Sequence, residues 1–156
     1  MKVCELLQPK SVLLQARIDG QDDALGILVE LEESGGVITN GTAYYNAVCA
    51  REASGGTTAI GDGIALPHAC NAGVAAAGIS AVTLRKGIDW GAPDGKPVDL
   101  LFMIAVPPQA QSDQLQIRAR LVNLISDEEL VKALRNAEKP EDFIEMLRAA
   151  ETERFA

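Results

Sequence analysis

The chain has 156 residues, 47% of them hydrophobic and 23% charged, which suits a single soluble globular domain and argues against disorder. Its formal net charge is −8, which argues against a nucleic-acid binder or an anionic membrane surface as partner, while an acidic body can still steer a basic protein towards itself. The longest apolar run, Leu100 to Val106, is far too short to cross a bilayer.

The opening Met1-Lys2-Val3-Cys4-Glu5 lacks the long apolar segment of a signal peptide. Cysteines at 4, 49 and 70 form no Cys-x-x-Cys pair and read as reduced thiols of a cytoplasmic protein. Residues 3–7 and 12–18 read as short extended pieces around Pro9, with Val12-Leu13-Leu14 the better strand. Asp22 to Ser34 carries Ala24, Leu28 and Leu31 at helical spacing, and Gly35-Gly36 stops it. A second helix is predicted over Thr42 to Ser54, with Ala43, Ala47 and Ala50 on its inner side and Arg51-Glu52 in its last turn. Ser54-Gly55-Gly56 follows as a flexible loop. Val74 to Gly78 fits helix or strand equally, and Ile79 to Leu84 reads as a strand. Asp94-Gly95 marks a turn. Val98 to Val106, apolar at nearly every position, predicts a central strand covered on both faces, ended by Pro107-Pro108. Asp113 to Ile125 reads as a helix with Ile117, Leu121, Leu124 and Ile125 inward. Ser126-x-x-Glu129 fits a capping box for the next helix, and Pro140 leads a last one carrying Phe143, Ile144 and Leu147. Strands interleaved with helices predict an α/β domain, one sheet with helices on both faces.

Chemistry concentrates between residues 57 and 70, around the only histidine of the chain. Gly61 and Gly63 allow a sharp turn, Ile64-Ala65-Leu66 is a short buried run, and Pro67 stiffens the backbone before His68. Histidine is mostly neutral near pH 7, so a held imidazole suits repeated chemistry at one ring nitrogen. A lone histidine is more often structural, and Thr57 and Thr58 read either as residues that satisfy turn amides or, Thr58 above all, as site residues. Asp62 reads as a solvated turn residue. Cys70, two residues on, shares a strand face with His68, which leaves open a thiol–imidazole pair or a small buried thiol. One histidine and scattered cysteines do not make a zinc site.

Gly61-Asp62-Gly63-Ile64-Ala65-Leu66-Pro67-His68-Ala69, with Arg51-Glu52 and Thr57-Thr58 upstream, resembles the active-site signature of the IIA components of the bacterial phosphoenolpyruvate-dependent sugar phosphotransferase system, fructose–mannitol type. The resemblance runs over residues 3–148, giving a domain over 1–150 and a C-terminal tail over 151–156. It implies a mixed, mostly parallel five-stranded sheet. It implies that Nε2 of His68 takes a phosphoryl group from the carrier HPr and passes it to a IIB component, which works with a membrane IIC component in sugar uptake. Donors must surround the phosphoryl oxygens. Thr58, Thr57 and the glycine-loop amides are candidates, and Arg51 offers a forked cationic contact. No metal or other cofactor is expected, nor any membrane insertion. Ala69, Ala75 to Ala77 and residues near Gln114 are candidates for the docking surface.

Two features depart from the family pattern. The Arg51-to-Thr58 spacing is one residue longer than usual, and Gln114, in Ser112-Asp113-Gln114-Leu115, stands where a second histidine usually opens a helix. A glutamine amide donates a hydrogen bond but carries no charge. Alternative readings are a nitrogen-regulatory IIA protein that controls partners by its phosphorylation state, a Cys–His enzyme using Cys70, and an interaction domain that has lost phosphorylation.

Overall fold

The computed structural model describes residues 2–155; Met1 and Ala156, the outer ends of the expected domain and tail, lie outside the described residues. Six helices run over Val3–Leu6 (α1), Gln21–Ser34 (α2), Gly41–Ser54 (α3), Gln111–Ile125 (α4), Glu128–Asn136 (α5) and Pro140–Arg154 (α6). Six strands run over Val12–Ala16 (β1), Ala59–Gly61 (β2), Ile64–Ala65 (β3), His68–Cys70 (β4), Gly78–Ile88 (β5) and Val98–Val106 (β6).

The strands form one mixed sheet in the order β1-β5-β6-β3-β2, with β4 also paired to β6. β1 with β5, β3 with β6 and β4 with β6 are parallel; β5 with β6 and β2 with β3 are antiparallel. β3 and β4 lie end to end along β6, parted at Leu66-Pro67, so the six segments fill five lanes, the expected number. Proline has no N–H to give a ladder, which is why the lane breaks there.

β6 is central and alternates. Leu100, Phe102, Ile104 and Val106 face a core layer under α1, α4, α5 and α6, where Ile117, Leu121, Phe143 and Leu147 pack. Leu101, Met103 and Ala105 face a second layer under α2 and α3, with Leu25, Leu28, Tyr44 and Val48. An unbroken apolar run is thus two half-runs, one for each face.

Four expectations need correction. Residues 3–6 are helical, not extended: the Val3 and Cys4 N–H groups donate to the Glu151 carboxylate at 2.8 and 2.7 Å, and a carboxylate at a helix start favours that helix. The inner residues of α3 are Tyr44 and Val48; Ala43 and Ala47 are half-buried and Ala50 is exposed. The cap of α5 is Asp127, which accepts from the Glu129 and Leu130 N–H groups, while Ser126 closes α4. Finally, α6 continues past residue 150 to Arg154, because Glu151 is buried and paired with Arg120 at 2.7 Å.

Glu151 therefore ties the two ends of the described chain together. Burial alone would raise its carboxyl pKa, but the Cys4 and Val3 amides and Arg120 bring it below the ordinary value. Removing it strands two amides and a guanidinium. Glu151→Ala is expected to lower stability by about 3 kcal/mol in chemical denaturation. It should also release amide-exchange protection over residues 3–6 first.

Candidate functional site

His68 opens β4 half-buried, opposite Ile104 of β6. Its Nδ1 lies 2.9 Å from the Leu66 carbonyl oxygen. A carbonyl only accepts, so in the neutral ring Nδ1 carries the hydrogen and Nε2 keeps its lone pair. Leu66 is itself held, because its N–H donates to the Thr58 carbonyl at 3.0 Å. Thr58 is buried; its hydroxyl donates to the Glu52 carboxylate and accepts from the Trp90 indole N–H at 3.1 Å. The imidazole thus ends a relay of contacts running from Trp90 and Glu52 through Thr58 and Leu66.

A second brace comes from α3. In a regular parallel ladder the Ala69 N–H would meet the Ile104 carbonyl. Here the Tyr44 hydroxyl stands between them, accepting from Ala69 at 3.1 Å and donating to Ile104 at 3.0 Å. β4 is thereby wedged away from β6 at the residue after His68, and both polar groups stay satisfied.

Charge around the ring favours its neutral form. Burial does most to hold the His68 pKa below the ordinary histidine value, with further lowering from the Arg51 and Arg118 charges; the Leu66 bond and Glu52 oppose it. Arg51, half-buried near the end of α3, donates through Nη1 to the Gly56 carbonyl at 2.9 Å.

Gln114 is buried at 8% exposure in the first turn of α4. Its Oε1 accepts from the Cys70 thiol at 3.6 Å, and its Nε2 has no hydrogen-bond partner among the described residues. Cys70 is thus partnered by Gln114 and not by the imidazole, which corrects the thiol–imidazole alternative. Burial raises the Cys70 pKa, so the thiol stays protonated and is a poor nucleophile.

The glycine turn is not part of this site. Gly61, Asp62 and Gly63 all adopt positive φ in the β2–β3 hairpin, beside the start of β6. The Asp62 N–H is taken by Asp94 and its exposed carboxylate lies 3.8 Å from Lys96. Thr57 satisfies its turn, accepting from Ala59 and donating to the Trp90 carbonyl. A cleft of about 710 Å³ also lies at that end, over the Arg135–Asp99 pair. Of the docking candidates, Ala75 and Ala76 are exposed, Ala69 is buried, and Leu115, beside Gln114, is 67% exposed.

Sequence reasoning missed Tyr44, Glu52 as the holder of Thr58, and Arg118. Arg118 had a usable signal: it follows Gln114 by four residues, one helical turn. Among the described residues no cluster of three or more His, Cys, Asp or Glu side chains is arranged to hold a metal, and no helix is long and apolar enough to cross a membrane.

The sequence matches the family described as "Phosphoenolpyruvate-dependent sugar phosphotransferase system, EIIA 2" over residues 5–150. It is 33% identical over 147 residues to a fructose-specific EIIABC component of Bacillus subtilis, covering 94% of this chain and 23% of that protein. The chain thus spans about a quarter of the length of that relative. It is 31% identical over 137 residues to a nitrogen regulatory protein of Bradyrhizobium diazoefficiens, covering 86% of this chain and 87% of the relative. Its fold superposes on the crystal structure of the nitrogen regulatory protein IIA-Ntr from Neisseria meningitidis with a TM-score of 0.83 at 26% identity, over 93% of this chain and 98% of the other.

The depressed His68 pKa predicts a stability signature. Above the unfolded-state value of about 6.5 the neutral ring costs nothing; as pH falls from there through the folded pKa, the unfolded chain takes a proton that the native ring resists, and stability is lost. NMR titration of this sole histidine should give a midpoint below 6.5. His68→Gln should flatten the stability slope in that window.

Proposed function

The chain belongs to the EIIA 2 family of the phosphoenolpyruvate-dependent sugar phosphotransferase system, and we propose that it is a cytoplasmic phosphoryl carrier with His68 as the acceptor. The observation that carries the reading is the Nδ1–H to Leu66 bond, which presents a neutral ring with Nε2 as the free nucleophile.

In the proposed step Nε2 attacks the phosphorus of phosphorylated HPr. The donor's N–P bond breaks as the Nε2–P bond forms, and the donor nitrogen recovers its lone pair. The proton stays on Nδ1, hydrogen-bonded to the Leu66 carbonyl, which helps bear the positive charge left on the ring. The reverse of this step, towards an acceptor side chain on a IIB component, discharges His68. That the Bacillus relative is a fructose-specific EIIABC component supports a IIB acceptor and a fructose- or mannitol-type sugar. Charge on the phosphoryl oxygens would be met by the Gln114 amide, whose Nε2 is buried without a partner, and by Arg51. Thr58 would act through Leu66 as a positioning residue, since its one hydroxyl hydrogen is taken by Glu52.

A regulatory reading has its own support in the 31% identity over 137 residues to a nitrogen regulatory protein and in the fold shared with IIA-Ntr. The two readings share phosphorylation of His68 and differ in the fate of the phosphoryl group.

Intact mass after incubation with phosphoenolpyruvate, Enzyme I and HPr tests the reading. One acid-labile phosphoryl group is expected, absent in His68→Ala; no added mass with HPr itself phosphorylated would overturn it. Adding IIB components then separates carrier from regulator, since a regulator keeps its phosphoryl group. Gln114→His should lengthen the phosphohistidine lifetime, because a charged donor holds a phosphoryl oxygen more strongly than a neutral amide. An unchanged decay rate would sink that expectation.

A further inference from the structure

A dianionic phosphoryl group on His68 would sit in a body of net charge −8, so cations within its reach matter more than their number suggests. α4 packs on the sheet face to which His68 and Cys70 point: Cys70 borders the core layer under α4, and its thiol meets Gln114. Gln114 and Arg118 are four residues apart in α4 and share one helix face. Arg118 is half-exposed and has no carboxylate partner among the described residues, whereas Arg120, Arg135 and Arg148 are each paired with an acid.

We propose that Arg118 is a second phosphoryl-binding cation, which closes over the group on His68 from α4 while Gln114 contacts it from one turn earlier. The proposal deepens the carrier reading and rests on it. Arg118 lies close enough for its charge to act on the His68 ring, alongside Arg51 and against Glu52. It supplies from a separate side chain the charge that a glutamine at 114 lacks. A guanidinium also offers a planar fork suited to two phosphoryl oxygens.

The test uses the whole chain and a small donor, phosphoramidate. Its P–N bond breaks, ammonia leaves, and the phosphoryl group moves to Nε2 without a protein partner. The last ionisation of the phosphoryl group is then followed by ³¹P NMR. A nearby cation favours the dianion, so Arg118→Gln should raise that pKa by about half a unit, on the order of threefold in the ionisation constant. Arg118→Lys should restore most of the shift, and Gln114→Ala should leave the charge effect in place. A wild-type ³¹P titration in Arg118→Gln, with slower transfer only when HPr or IIB is present, would mean that Arg118 docks the partner, and would overturn the proposal. If wild-type His68 takes no phosphoryl group at all, the carrier reading fails, and this proposal with it.

Discussion

The site depends on one hydrogen bond between residues two apart, from His68 Nδ1 to the Leu66 carbonyl. It spans Pro67, which has no N–H to compete for that carbonyl and whose ring keeps Leu66 extended. The bond fixes the tautomer, leaves the lone pair on Nε2 and opposes a flip of the ring. A flipped ring would lose that bond and leave the tautomer unfixed. Leu66 is held by its N–H on the Thr58 carbonyl, with Thr58 on Glu52 and Trp90, while Tyr44 holds Ala69, the residue after His68.

Burial and charge act together on this ring. A fully buried imidazole would be neutral but unreachable; a fully exposed one would be reachable but free to rotate. Half-burial lets desolvation suppress protonation without fully enclosing the ring. The two arginines push the same way, since positive charge disfavours imidazolium. Under the proposed transfer the same charges would face an anion and become attractive. One set of cations would then keep the acceptor ready and hold its product.

The order of elements and the central place of β6 were legible because Leu100 to Val106 is too apolar for any exposed position, and the helices after it repeat at 3.6 residues. His68 was legible from its proline, its glycines and its solitude. What escaped reading depends on contacts far along the chain. α1 is four residues whose first amides find an acid 147 and 148 residues away, and no local pattern announces that. The inner face of α3 was misread because alanines at helical spacing look like a packing face, while Tyr44 is drawn inwards by a carbonyl on β6 that lacks a ladder partner. The glycine turn looked close to His68 in sequence, yet extended backbone from Gly63 to His68 carries the two to opposite ends of β6.

Gln114 gives the site a further physical character. A histidine in its place would supply hydrogen bond and charge from one group, and the charge would fade as pH rose through 7. Here the donor is an amide that does not titrate, anchored through Oε1 to a thiol that burial keeps protonated. The positive charge belongs to guanidinium groups on separate side chains. Separating donor from charge leaves His68 as the titrating base of the site. Under the proposed function the affinity of its surroundings for a phosphoryl group would vary little with pH, and the pH dependence of the site would come from the His68 ring, as burial and its neighbours set it.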